Sequence, residues 1–267
     1  MIVGLPMYAL PELDAATHAW GRGLLRHFAS AGLTDLPADL TEPTDLEAHW
    51  LAPDLLFTQT CGYPLTHVLA GKVQLLATPC YSATGCDGAT YRSYVVVRED
   101  SGIETPEGLR GKRVAYNGTD SQSGYNTLRH LVAPLAEHGR FFGSGLETGA
   151  HRRSLAAVRR GEADAASIDC VSLALIEQAA PEELKGIRRL CPTAPAPNLP
   201  YIASLSTSAE VMRRLREGLH AAVNDQALRA AREALLIADV TVLPPAAYAA
   251  IPAMEEEAVA SGYPRLD

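Results

Sequence analysis

The chain has 267 residues, about 1.8 times a typical domain length of about 150, so one large domain or two modest lobes are expected. Hydrophobic residues make up 47% of the sequence and charged residues 20%, which is an ordinary globular composition. The formal net charge is −8. Because nucleic-acid-binding proteins need a basic face against phosphates, we expect no nucleic-acid partner.

The apolar stretches are short. None approaches the 18 or so residues of a spanning helix, so no membrane insertion is expected. The apolar start of the chain lacks a basic region and a small-residue cleavage site, and Pro6 and Pro11 interrupt it. This start is interpreted as a first strand. Either a leader has been removed or none was present.

Strand-like and helix-like runs alternate along the chain, which predicts an α/β fold with crossover helices. The predicted strands are, in order, 2–5, 54–58, 73–78, 94–98, 111–117, 164–168, 187–191 and 201–205. The predicted helices are about 11–31, 64–70, 125–137, 151–161, 171–179 and 209–236 with a break near 224–225, and the tail from 244. Turn-rich loops near 89–98 and 198–206 are where the chain is expected to cross between lobes.

A dense polar cluster stands between a predicted strand and a predicted helix. It runs Asn117-Gly-Thr-Asp-Ser-Gln-Ser-Gly124. Hydroxyls and backbone N–H groups at a helix start favour an anion, so Ser121, Gln122, Ser123 and Gly124 are candidate ligand residues. The simpler interpretation is that a serine caps the helix. The spacing fits neither a Walker A loop nor a dinucleotide-binding fingerprint.

His151 opens a predicted helix, where a protonated imidazole would meet the positive end of the macrodipole. It is interpreted either as an N–H donor to an anion or carbonyl, or as a packed or exposed histidine. Thr60 and Cys61 follow a predicted strand, at the edge where α/β sheets bind ligands. A nucleophilic Cys61 with His151 as its base is one possibility, but a buried unreactive thiol is the commoner case.

Four further residues are candidates to line a cleft or hold a ligand: Tyr8, Tyr91, Asp169 and Asn198. Tyrosines at strand ends commonly serve packing, and Asp169 can instead cap the helix that follows it. The five cysteines, at 61, 80, 86, 170 and 191, form no metal-binding spacing, and no metal or cofactor is expected. Cys80 and Cys86 could close a short loop in an oxidising compartment, or all five could be thiols in a reducing one.

Five of these segments occur in an order that resembles the periplasmic phosphonate/phosphate-type solute-binding proteins of ABC importers. The resemblance covers about residues 54–205. Its motifs are the runs 91–101, 109–118 and 121–125, then Thr148-Gly-Ala-His151, then Gly161-Glu-Ala-Asp-Ala-Ala-Ser-Ile-Asp169.

The resemblance implies an α/β, type II periplasmic-binding-protein-like fold. In this fold each of two lobes is a mixed sheet flanked by helices, and the ligand cleft lies between the lobes. The expected lobes are 1–90 plus 205–267, and 91–204.

The same resemblance implies site residues. Ser121, Ser123 and the N–H groups through Gly124 would form an oxyanion cradle, with His151 and Tyr91 as further ligand contacts. Gln122 departs from the family by replacing a hydroxyl. Asn198 stands where the family has an acidic residue, which argues against aminoalkyl-phosphonate specificity.

The leading hypothesis is a non-enzymatic monomer that captures a small oxyanion or phosphonate-like solute, with an ABC transporter permease as its partner. The resemblance implies a periplasmic location, and the missing leader keeps a cytoplasmic one open. Two alternatives remain. One is an enzyme on the same fold that uses Cys61, His151 and Asp169. The other is a cytosolic ligand sensor.

Overall fold

The computed structural model describes residues 1–266, which divide into two compact units. The first unit comprises Met1–Ser82, Asp87–Ala89 and Pro197–Ala247. The second comprises Ala83–Cys86, Thr90–Ala196 and the residues from Tyr248 onward. Each unit is therefore assembled from three separate stretches of chain.

Twelve strands are present in the part of the chain that is described. They are β1 Ile2–Val3, β2 Leu55–Gln59, β3 Val73–Tyr81, β4 Thr90–Tyr91, β5 Ser93–Arg98, β6 Arg113–Tyr116, β7 Ser144–Glu147, β8 Ala165–Asp169, β9 Ile187–Pro192, β10 Ala196–Pro197, β11 Tyr201–Ser204 and β12 Ile237–Thr241.

Nine α-helices connect or flank these strands within residues 1–266. They are α1 Asp14–Ser30, α2 Leu46–Trp50, α3 Gly62–Thr66, α4 Thr127–Val132, α5 His151–Arg159, α6 Cys170–Ala179, α7 Ala209–Asn224, α8 Arg229–Ala234 and α9 Ala250–Ala260. A π-helical turn, Gln122–Asn126, leads directly into α4.

The first unit contains a five-stranded mixed sheet in the order β1-β2-β11-β3-β12. β1 and β2 are parallel, whereas β11 runs antiparallel to both β2 and β3, and β12 runs antiparallel to β3. The strands are apolar enough to be buried: every residue of β2 and β11 is inaccessible to solvent or nearly so. On one face of the sheet, Phe57 stacks at a tilt against Phe28 of α1.

The second unit contains a five-stranded mixed sheet in the order β7-β6-β8-β5-β9. β6 is parallel to β7 and β8, whereas β5 is antiparallel to β8 and β9. Val95, Val96 and Val97 of β5 are completely buried. This continuous apolar run is typical of a strand covered on both faces.

The C-terminal segment belongs to the second unit, whereas the sequence placed it in the first lobe. Ala258, Tyr263 and Leu266 pack into the hydrophobic core of the second unit, against side chains such as Leu128 and Val132 of α4. Arg129 of α4 also donates to the carbonyl of Pro264. Residues distant in sequence share this core, so composition and spacing gave no indication of it.

The sequence predicted most of the strands and helices but missed five of them. These are the helix α2 and the strands β4, β7, β10 and β12. β7 is exposed at every residue, and its Ser-Gly-Leu-Glu sequence has little strand propensity. Its pairing with β6 makes it a strand. No helix within residues 1–266 is both long enough and apolar enough to cross a membrane.

Candidate ligand-binding site

The polar cluster at 117–124 forms the start of a helix in the second unit. Ser121 is the N-cap of the π-helical turn, and its Oγ accepts the N–H of Gly124 at 3.0 Å. The N–H of Gly124 is thus engaged by the cap. The N–H groups of Gln122 and Ser123 lie in the first turn, where a helix offers no internal carbonyl partner. They stand at the positive end of the helix dipole.

Ser123 and His151 are brought together by the fold. The Oγ of Ser123 lies 2.8 Å from Nε2 of His151, the first residue of α5. Burial lowers the pKa of His151 to about 4, against a smaller opposing effect of the Ser167 backbone carbonyl. The imidazole is therefore neutral at pH 7, which removes the conflict between a cation and the helix N-terminus.

Three hydroxyl groups bind the backbone carbonyl of Ser123. The carbonyl oxygen of Ser123 accepts hydrogen bonds from Ser93 Oγ at 2.9 Å, Ser167 Oγ at 2.7 Å and Thr127 Oγ1 at 2.9 Å. Ser93 and Ser167 lie on the neighbouring strands β5 and β8 and are completely buried. Two adjacent interior strands of the sheet thus fix the orientation of the Ser123 side chain through its backbone.

The next residue, Gly124, is required by a close approach. A Cβ at this position would lie 1.9 Å from Oδ1 of Asn117 and 3.3 Å from Cε1 of His151. Any larger residue would push apart the end of β6, the helix start and α5. The glycine therefore allows the three segments that carry the candidate site to meet.

Gln122 does not present its side chain beside the two serine hydroxyls. The residue is completely buried, its Nε2 donates to Sδ of Met254, and its Oε1 accepts from Nδ2 of Asn126. The side chain is long enough to reach α9, so it packs into the core. Position 122 can offer a ligand only its backbone N–H.

Asp169 ends β8 in the five-stranded sheet of the second unit, whereas Tyr91 lies in β4, which pairs with β10 outside that sheet. Asp169 is the cross-strand partner of Ser93 and is 1% exposed. Its Oδ1 accepts the N–H groups of Val171 and Ser172, so it caps α6. This capping role is the alternative that the sequence had left open. Tyr91, in β4, is buried.

Thr60 and Cys61 lie in the first unit, immediately after β2. The N–H of Thr60 donates to the carbonyl of Pro200 at 3.0 Å, and Cys61 is the N-cap of α3. Both residues are buried. They belong to a different unit from His151, whose Nε2 contacts the hydroxyl of Ser123.

Tyr8, also in the first unit, has a left-handed backbone with φ of 60°. Few residues other than glycine adopt this conformation without strain, and such strain occurs often at functional sites. The ring of Tyr8 meets that of Tyr81 edge to face, with centroids 5.3 Å apart. The hydroxyl of Tyr81 in turn accepts from Nε2 of Gln59 at 2.9 Å.

Asn198 binds two backbone carbonyls of its own unit. It is completely buried, and its Nδ2 donates to Pro79 at 2.9 Å and to Gly88 at 3.3 Å. Its backbone N–H donates to Ala89 at 2.8 Å. Both hydrogens of the side-chain amide of Asn198 are thus donated to protein carbonyls, and neither remains to bind a ligand.

The sequence missed the residues whose hydroxyls bind the carbonyl of Ser123: Ser93, Thr127 and Ser167. The available indication was a serine in an otherwise apolar strand, since a buried hydroxyl must find a hydrogen-bond partner. Which partner it finds depends on the tertiary structure. Among residues 1–266, no group of three or more His, Cys, Asp or Glu side chains is placed to hold a metal ion.

Comparisons with known proteins identify the family and the fold of the chain. Residues 52–248 match the family model described as ABC transporter, phosphonate, periplasmic substrate-binding protein. None of the curated proteins matches the sequence.

Solved structures show the same fold at low identity. A binding-protein component of an ABC phosphonate transporter from Pseudomonas aeruginosa is 15% identical, with a TM-score of 0.77 over 98% of this chain and 87% of that one. A Prochlorococcus marinus protein solved with methylphosphonate is 11% identical, with a TM-score of 0.78 over 96% and 97% of the two chains. A Xanthomonas citri protein solved with ATP is 16% identical, with a TM-score of 0.73 over 98% and 97%. The predicted fold class, α/β with two mixed sheets flanked by helices, is confirmed.

Proposed function

Because the chain belongs to the family of periplasmic substrate-binding proteins of phosphonate ABC transporters, we propose that it captures a small oxyanion or phosphonate-like solute for an importer. The family consists of binding proteins, and the proposed role is reversible binding without turnover. The location proposed for the chain is that of the family, the periplasm.

One observation carries this proposal: the contact between Ser123 Oγ and His151 Nε2 at the start of a helix. In the tautomer that we propose, the neutral imidazole carries its proton on Nε2 and donates it to Oγ, so that the hydroxyl of Ser123 can donate its own proton to an anion. The N–H groups of Gln122 and Ser123 and the helix dipole act in the same direction.

The net charge of −8 does not oppose this binding strongly. Charges farther away than about 10 Å are screened in physiological salt. Fixed dipoles and hydroxyls at contact distance are screened much less. An acidic protein can thus bind an anion through groups that carry no formal charge.

The ligand class that we propose takes into account that position 198 carries no carboxylate. The family resemblance implies an acidic residue here in relatives that bind an amino group, whereas in this chain Asn198 donates its amide N–H groups to the carbonyls of Pro79 and Gly88. We therefore place simple phosphonates, phosphite and phosphate ahead of aminoalkyl phosphonates. The structurally similar Prochlorococcus protein, solved with methylphosphonate, supports testing that compound first.

Isothermal titration calorimetry tests the proposal with methylphosphonate, phosphite, phosphate, sulfate, 2-aminoethylphosphonate and malate. We expect at least one phosphorus oxyanion to bind. Ser123→Ala should weaken the affinity for that oxyanion about 10- to 100-fold, which is the effect of losing one hydrogen bond to a charged group.

Ser144→Ala is the matched control, because Ser144 is exposed on the edge strand β7 of the same unit and should leave the affinity unchanged. Phosphorus NMR of the ligand after prolonged incubation should show no new species. The proposal fails if none of the phosphorus oxyanions binds, if Ser123→Ala keeps the wild-type Kd, or if the ligand is consumed.

A further inference from the structure

Two cysteines that are far apart in sequence lie side by side in the second unit. The Sγ atoms of Cys86 and Cys170 are 3.5 Å apart, although 84 positions separate the residues. Cys170 begins α6 and is 1% exposed, whereas Cys86 is partly exposed. None of the five cysteines forms a disulfide within residues 1–266.

The backbones of both cysteines are held in place independently of the sulfur contact. The N–H of Cys170 donates to the carbonyl of Arg92 at 3.1 Å, and Asp169 caps the helix that Cys170 begins. The N–H of Cys86 donates to the carbonyl of Ala83 at 3.0 Å. The two sulfurs therefore lie close together because the backbone around each cysteine is held in place.

Gly85 makes this approach possible. Its φ of +108° lies in the region that favours glycine, and a Cβ here would lie 3.0 Å from Cβ of Cys170 and 3.2 Å from the ring of Tyr94. A side chain at 85 would separate the segment that carries Cys86 from the start of α6. The sequence thus has a glycine at a position where a side chain would meet Cys170.

The geometry points to Cys86 and Cys170 as an intramolecular disulfide pair that forms when the protein meets a disulfide oxidant. A bonded pair requires an S–S distance of about 2.05 Å, so the two sulfurs must move together by about 1.5 Å, which side-chain torsions can supply. The inference does not depend on the ligand proposal. It accords with a family located in the periplasm, where disulfides persist.

The chemistry balances with a low-molecular-weight or protein disulfide as the oxidant. The more accessible thiol, Cys86, loses its proton and attacks one oxidant sulfur, which forms a mixed disulfide and releases the first thiolate. Cys170 then loses its proton and attacks Sγ of Cys86, releasing the second. Two protein thiols are oxidised, the oxidant disulfide is reduced to two thiols, and the two protons end on those thiols.

The other half-buried thiols are less suited to this reaction. Burial raises the pKa of the Cys80 thiol, and the charge of Asp239 adds to the effect. Burial likewise raises the pKa of the Cys191 thiol, with a contribution from Glu107. Since the thiolate is the attacking species, both should react slowly at neutral pH. Cys80 belongs to the first unit and is not the partner that the structure gives to Cys86.

Peptide mapping of the full chain tests the pair directly. The purified protein is incubated with oxidised glutathione, quenched in denaturant with N-ethylmaleimide and digested without reduction. We expect one peptide that links Cys86 to Cys170, lighter than the two thiol peptides by two hydrogen atoms. The linked protein should melt about 5–15 °C higher than the same protein after dithiothreitol, because the bond closes a long loop.

Cys86→Ser is the main variant, since Cys86 is partly exposed and its replacement leaves the core intact. In the Cys86→Ser variant the linked peptide should be absent, and dithiothreitol should leave the Tm unchanged. Cys191→Ser is the control and should keep both. The inference is overturned if Cys86 and Cys170 both carry the maleimide label after oxidation, or if the linked peptide joins Cys86 to Cys80.

Discussion

The amide oxygen of Asn117 lies only 1.9 Å from the point at which a Cβ of residue 124 would stand. Asn117 follows β6, and Gly124 lies within the helix start that carries Ser123. This oxygen is buried and has no hydrogen-bond partner within residues 1–266. It is kept in place by packing, and the lack of a side chain at Gly124 makes that packing possible.

Gly124→Ala should therefore destabilise the protein by about 1–3 kcal/mol, as expected for overpacking of a tight site. Urea denaturation measures the change. In the double variant Asn117→Ala/Gly124→Ala the obstructing oxygen is gone, and most of the loss should be recovered. Gly108→Ala is the control, since its Cβ would lie 3.3 Å from Ile103 Cγ2 and should cost less. A double variant as unstable as Gly124→Ala would contradict the steric explanation.

Removing the hydroxyls beneath Ser123 should weaken ligand binding without removing any ligand contact. Ser93→Ala or Ser167→Ala alone leaves two donors on a carbonyl oxygen that has two lone pairs, so each should reduce affinity less than about tenfold. The affinity of the double variant Ser93→Ala/Ser167→Ala should fall by more than the product of the two single-variant fold reductions.

Calorimetry with the best phosphorus oxyanion measures these affinities. Ser204→Ala is the control, because Ser204 is a buried serine of the first unit whose hydroxyl pairs with that of Ser206. Its Kd should match that of the wild type. Equal affinities for the double variant and the wild type would show that the three hydroxyls do not position Ser123.

Stability should fall as the pH drops from 6.5 toward 4 because of His151. The imidazole has a pKa of about 4 in the folded protein and about 6.5 when unfolded, so the unfolded chain binds the proton in this window. Each pH unit should then cost up to about 1.4 kcal/mol. Urea denaturation at pH 7, 6 and 5 measures the slope.

His151→Gln should flatten this dependence in part. His49 is buried as well, and its pKa is also lowered by burial, so it contributes part of the same slope. His220→Gln, on the exposed surface of α7, is the matched control for a histidine-to-glutamine exchange. If His151→Gln and the wild type lose stability equally between pH 7 and pH 5, the imidazole is not buried in its neutral form.

Asn198→Asp should destabilise the protein by about 2–4 kcal/mol without introducing affinity for 2-aminoethylphosphonate. The carboxylate would face the carbonyl oxygens of Pro79 and Gly88 and could not donate to either. Urea denaturation and calorimetry measure the two effects. Asn224→Asp, at the exposed end of α7, should cost less than about 1 kcal/mol. A stable Asn198→Asp variant that binds the aminoalkyl ligand would contradict the structural role of Asn198.

The sequence was sufficient for the local features of the site. Serines and glycines ahead of an apolar run predict a helix start, and a helix start predicts where unpaired N–H groups and the positive dipole end lie. Both depend on residues within one or two turns of each other. The order of these segments also led to the family, and the alternation of strands and helices led to the fold class.

The sequence also determined that the chain has no long apolar run and carries a net charge of −8, because these are properties of composition and run length. Only the tertiary structure decided that His151 meets Ser123, that Ser93 and Ser167 support its carbonyl, and that Cys86 lies beside Cys170 rather than Cys80. Each of these contacts joins residues at least 28 positions apart. Such contacts are set by strand order and register, which local propensity does not encode.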